Sequence, residues 1–168
     1  MKNLVLLILI SVAIIFVSCS VSYEELNDSG LVRFSQGNYE TALDYFNSSI
    51  EDEPQQFAAY FNKARTLVAL NRFDEAIENF NIVEKKDPKN PMIYFEKGKM
   101  YLKNNKYDLA IVEFSTAISW DDNEALYYLN RGIANSQLNQ MGHACADWTK
   151  AEEYRNPDAI AFLKQFCE

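Results

Sequence analysis

Histidine occurs once, at position 143, in a chain of 168 residues. That scarcity removes the imidazole clusters on which most zinc and copper sites depend. Acid–base chemistry would fall to His143, or to carboxylates and lysines that nowhere form a concentrated constellation. GxSxG, HExxH, CxxC and the phosphate-cradling GxxxxGK[ST] run are all missing. His143 and Cys145 stand two apart, which on a helix puts them on different sides, so they form no nucleophile–base pair. No catalytic residue, metal or cofactor is expected. Basic residues are the next shortage: sixteen Lys and Arg face twenty-four Asp and Glu, a net charge of −8. Neutralising a phosphate backbone takes clustered cations, so no nucleic-acid partner is expected. Four Pro and five Gly are few breakers for a chain that is 48% apolar and 14% aromatic. The composition is that of one folded domain.

Long apolar runs are missing except at the start. From Leu4 to Val17 the chain is apolar apart from Ser11, and Lys2 is the only charge before Glu24. Fourteen residues fall short of the roughly 20 that span a bilayer, and the run reads as a signal-peptide core. It closes with Phe16-Val17-Ser18-Cys19, which resembles the lipobox of bacterial lipoprotein signal peptides, with Phe16 where the family usually has Leu. The resemblance implies removal of 1–18, acylation of Cys19 and a short linker over 19–22. Several acyl chains, at about 0.8 kcal/mol per buried CH₂, would hold such a protein on a membrane. Ser20 lacks the Asp that marks inner-membrane retention in some bacteria, which leans the expectation to the outer membrane, periplasmic face or surface.

Beyond Ser22 the chain repeats itself every 34 residues. Tyr39, Phe73 and Tyr107 share one register; Ala42, Ala76, Ala110 and Ala144 another; Phe46, Phe80, Phe114 and Trp148 a third. Gly30, Ala64, Gly98 and Gly132 hold a fourth and Leu26, Tyr60, Tyr94 and Tyr128 a fifth. Tyr60, Ala64 and Leu67 lie on one helical face, and Phe73, Ala76, Ile77, Phe80 and Val83 form a second after a break. Each copy therefore holds two helices, the small residues letting them approach while the rings fill the space beside them. Gly37, Asn71, Asn105 and Asn139 sit at the break, residue types that tolerate a left-handed cap. Met141 stands where earlier copies have an aromatic, Gly142 follows, and Asn135 replaces a core residue. The second helix of the fourth copy is thus expected to start late or pack loosely.

The pattern resembles the tetratricopeptide repeat in four copies, 23–56, 57–90, 91–124 and 125–158. The resemblance implies an all-α, right-handed α-solenoid of helix-turn-helix units. A last apolar segment with Ile160, Phe162, Leu163 and Phe166 is expected to be a capping helix over 159–168. The resemblance also implies a concave groove lined by the first helix of each copy, which binds a protein or peptide partner. Phe61, Phe95 and Leu129 would stack there as an apolar row with Arg65 and Lys99 beside it. Asn62, Glu96, Leu102, Asn130 and Ile133 complete the expected lining. The competing expectation is that these rings pack between neighbouring helices and leave little groove.

Charge is uneven along the array, with eight acids against Arg33 alone in the first copy. Once Cys19 is acylated, Cys145 and Cys167 remain, and their placement is compatible with a disulfide or with two buried thiols. The expected function is a membrane-anchored interaction scaffold of the bacterial envelope. A pilotin-like or outer-membrane assembly factor is the alternative. An envelope enzyme using groove carboxylates is the weakest reading, and would need Glu96 and Asp28 to face each other.

Overall fold

The computed structural model describes residues 21–168, so Cys19 and the segment before it lie outside the described residues. The described residues form nine helices and no strand: α1 Tyr23–Ser35, α2 Tyr39–Asp52, α3 Phe57–Ala69, α4 Phe73–Lys86, α5 Pro91–Lys103, α6 Tyr107–Trp120, α7 Ala125–Gln137, α8 Met141–Glu153 and α9 Pro157–Phe166. They stack as four antiparallel pairs in chain order, an α-solenoid closed by α9.

Local chemistry sets the helix ends. Ser22 opens α1 through a capping box, its hydroxyl accepting from the Glu25 N–H at 3.2 Å while the Glu25 carboxylate takes the Ser22 N–H. Asn90 and Asn156 cap α5 and α9, each followed by Pro at the first helical position, where a missing N–H costs nothing. Within each pair the chain reverses through one left-handed residue: Gly37, Asn71, Asn105 and Asn139, with φ of 77°, 61°, 56° and 59°. The next N–H then reaches back to the preceding helix, as Arg72 does to the Leu67 carbonyl at 2.9 Å.

The small-residue register is where the two helices of a pair come closest. A Cβ at Gly30, Gly98 or Gly132 would lie 2.5 Å from the ring of Phe46, Phe114 or Trp148, and Ala64 meets Phe80 in the same core. Close approach buries the ring register almost completely, from Phe46 at 0% exposure to Trp148 at 1%.

The fourth copy does not start late. Met141 begins α8 in the register of Tyr39, Phe73 and Tyr107. The Asn139 turn, the Gln140 N–H on the Asn135 carbonyl at 3.0 Å and the His143 and Ala144 N–H groups on the Gln140 carbonyl fix that start. Met141 itself is exposed, so no aromatic is needed there. Nor is the packing loose, with Ala144, Trp148 and Ala151 all buried.

The last helix starts at Pro157, two residues before the expected 159, and ends at Phe166. It is joined to α8 by the turn used inside repeats: Arg155 takes φ of 61° and the Asn156 N–H reaches the Ala151 carbonyl at 3.1 Å. Phe162 and Phe166 lie 5.0 and 6.0 Å from the Trp148 ring, and Ala159 is buried, so α9 covers the open end of the core.

Candidate functional site: the concave groove and its polar braces

The first helices α1, α3, α5 and α7 line one side of the array, and that side is more polar than the residue pattern suggests. Of the expected apolar row only Phe61 stays half-open, its ring edge-on to Phe80 at 6.0 Å. Phe95 is 6% exposed, 5.9 Å from Phe114 and 5.0 Å from Tyr127 of the next repeat. Leu129 is 5% exposed among Tyr128, Ala144 and Trp148. The exposed row is therefore corrected: Phe95 and Leu129 are core. The following α7 brings Tyr127 over Phe95, a contact that the spacing within one helix does not display. Leu102 and Ile133 are half-buried against the same cores.

A charged ladder occupies the middle of the groove. Glu96 accepts from Lys99 at 2.8 Å and faces the Arg65 guanidinium at 3.6 Å. Arg65 lies over the Phe34 ring at 5.2 Å, and Lys99 over Phe95 at 4.8 Å, so each cation also uses an aromatic face. Asn62 donates to the Asn27 side chain at 3.0 Å, bridging the first two repeats. Asn130 turns back on its own helix, donating to the Leu126 carbonyl. Lys103 caps α3 by donating to the carbonyls of Val68 and Ala69. Glu96 is paired with Arg65 and Lys99, and Asp28 is exposed on α1, two repeats away.

Beside Phe61 the groove opens into an apolar cleft of about 300 Å³ between the second and third repeats. Phe57, Ala58, Val83, Met92 and Ile93 line it with Phe61, and Lys86 lies over the Phe57 ring at its rim. Asp87 and Asn90 complete the lining, and an apolar cleft with a mixed polar rim can hold an apolar side chain of a ligand.

Two polar braces escape the sequence reading. Lys97 is buried yet meets Glu84 at 2.8 Å and Glu113 at 3.0 Å. Burial alone would push its ammonium down, but the bonds and charges of both acids together raise it above its ordinary value. Burial pushes the Glu113 carboxyl up, against the opposing pull of Lys97. One repeat on, Arg131 takes the place of Lys97 and Asp147 that of Glu113, and Asn135 and Ser115 complete the set. The signal was available: Lys63, Lys97 and Arg131 are 34 apart, as are Glu113 and Asp147.

The structure joins Cys145 of α8 to Cys167 at the end of α9, with Cα atoms 5.9 Å apart. Among the described residues no group of His, Cys, Asp and Glu could hold a metal ion, and no helix is long and apolar enough to cross a membrane.

The tetratricopeptide repeat family matches residues 27–91 and again 61–136. This chain is a tetratricopeptide repeat protein. The fold is of the kind that serves as a scaffold for protein–protein interaction. Among solved structures it is similar to TTC0263, a thermophilic tetratricopeptide protein of Thermus thermophilus, at 20% identity and a TM-score of 0.73 over 86% of this chain and 81% of that one. It is also similar to MamA from residue 41 to its end, of Desulfovibrio magneticus RS-1, at 22% identity and a TM-score of 0.73 over 80% and 76%. Likenesses at this identity speak to the fold. No curated protein matches the sequence.

Proposed function

We propose that this tetratricopeptide protein is a lipid-anchored scaffold of a bacterial envelope, holding a partner protein at the membrane by its concave groove. The anchor reading rests on the apolar run from Leu4 to Val17 and on Ser18-Cys19, which lie outside the described residues. Outer-membrane placement rests on Ser20 alone. The observation that carries the binding reading is the apolar cleft lined by Phe61 and Met92, with Lys86 and Asp87 in its lining and Arg65 over the Phe61 ring at 6.0 Å. The cleft's shape suits an extended segment that offers one apolar side chain flanked by polar groups.

Cys19→Ala should lose acyl labelling and its fractionation with membranes; a variant that still labels and still pellets sinks the anchor. For the groove, Met92→Glu is the better probe than Phe95→Ala, because Met92 is exposed and Phe95 is core. Partner recovered from detergent-solubilised envelopes should fall about tenfold, about 1.4 kcal/mol, with no change in melting temperature. Undiminished recovery would move the site elsewhere, to the acidic first repeat in the first instance.

A further inference from the structure

Helix α6 is apolar on both sides. Its inner side, with Ala110, Phe114 and Ala117, is buried against α5 and α7. Its outer side presents Leu109, Val112 and Trp120 at 45%, 60% and 47% exposure. With Thr116 these fall in one stripe, at spacings of three, four and four residues. The same registers elsewhere are mostly polar. Val112 corresponds to Asp44, Glu78 and Ala146, and Leu109 to Thr41, Glu75 and His143. Trp120 corresponds to Asp52, Lys86 and Tyr154. No described helix of this chain packs on that outer stripe, and only Lys89 reaches it, over the Trp120 ring at 5.7 Å.

We propose that the α6 stripe pairs with the same stripe of a second copy, the two helices antiparallel about a two-fold axis between Val112 and Thr116. Charge at the two ends selects this occupant and this direction. Lys106 precedes α6 and Asp122 follows it, both exposed and neither in an ion pair among the described residues. An antiparallel pair sets Lys106 of each copy beside Asp122 of the other, with Asp108 and Asp121 flanking them, whereas the acids at 121 and 122 would meet their own copies in a parallel pair. A parallel pair would set like on like, and would also align the helix dipoles unfavourably. A two-fold contact needs a surface complementary to itself, which Val112 opposite Thr116 and Leu109 opposite the Trp120 end provide. Asp44 and Glu78 would repel their own copies across α2 and α4, which keeps the pairing off the first two repeats. The acids at positions 121 and 122 argue against an anionic bilayer as the occupant.

The test is cross-linking of the full-length chain, in mild detergent, with a short bismaleimide. Val112→Cys should give a covalent homodimer, while Asp44→Cys, at the matching place in the first repeat, should give only the background of the unsubstituted chain. Lys106→Asp and Asp122→Lys should each lower the Val112→Cys dimer yield about tenfold, and the two together should restore it. Equal yields from Val112→Cys and Asp44→Cys would overturn the proposal. Charge reversals that add rather than compensate would overturn the antiparallel arrangement. Val112 is exposed, and an unchanged melting temperature confirms that each variant reports on association.

Discussion

Arg131 of α7 grips Asp147 of α8 with two nitrogens, Nε at 3.0 and 3.1 Å from the two carboxylate oxygens and Nη2 at 2.6 Å from Oδ1. The Asn135 amide donates to the same carboxylate at 3.0 Å, and Nη1 of Arg131 donates to Ser115 of the preceding helix. One guanidinium thus ties α6, α7 and α8 together. Arg131→Met would strand a nearly buried carboxylate, and the expected loss is about 3 kcal/mol. Arg131→Met combined with Asp147→Leu should recover most of it, since no charge is left unpaired. Urea unfolding of the single and double variants measures the coupling; simple addition of the two losses would refute the brace.

Alkaline pH should destabilise this protein. Burial raises the phenols of Tyr94, Tyr101, Tyr127 and Tyr128, and Tyr94 donates its hydroxyl proton to the Pro88 carbonyl at 2.6 Å. Lys97 is raised as well. A group raised on folding contributes stability below its unfolded value and loses it as pH climbs through the folded one, so the decline begins near about pH 10. Glu113, also raised, acts by the same sign in the acid range, holding its proton longer when folded and softening acid unfolding. Melting temperature followed by circular dichroism should fall above about pH 10, and less steeply in Tyr94→Phe. A flat profile in that window would contradict the assignment.

Gly98 and Ala64 occupy one register and answer differently to substitution. A Cβ at Gly98 would sit 2.5 Å from Cε1 of Phe114, so Gly98→Ala must displace a fully buried ring, costing about 1–3 kcal/mol. Ala64→Gly should also destabilise, by about 1 kcal/mol, because the Phe80 site is already packed around that methyl and glycine weakens the helix. Denaturation midpoints decide both. A stabilised Gly98→Ala would show that the ring yields freely.

Cys145 and Cys167 are 22 residues apart, and a bridge closing a loop of that size contributes about 3 kcal/mol on the chain-entropy account. The denatured, unreduced chain should resist alkylation at both residues. Full labelling of both without reductant would show free thiols; with the bridge in place, Cys145→Ser should lower the melting temperature.

The 34-residue registers carry most of the fold. Gly37, Asn71, Asn105 and Asn139 mark each left-handed turn from residue type alone, and Gly98 with Phe114 marks the closest helix contact. What escapes is whatever depends on a third helix. Phe95 looks exposed on α5 by itself and is buried because Tyr127 arrives from the next repeat. Lys97 looks like one more surface cation, yet Glu84 and Glu113 lie on the two helices flanking it, 13 and 16 residues away. Arg155 gives no sign of its positive φ, because arginine is not a residue chosen for that conformation.

The two ends of the array are held unequally, and that gives unfolding a direction. At one end Trp148, α9 and the Cys145–Cys167 link close the stack. At the other, α1 buries only Gly30, against six residues of α5, and among the described residues has a neighbouring pair on one side alone. In a stack where each unit leans on the next, opening starts at the weakest terminal unit and runs inward. Amide exchange should therefore be fastest in α1 and slow progressively toward α7. A load applied near residue 21 would peel helices away in chain order, and the braced fourth repeat would be the last to yield.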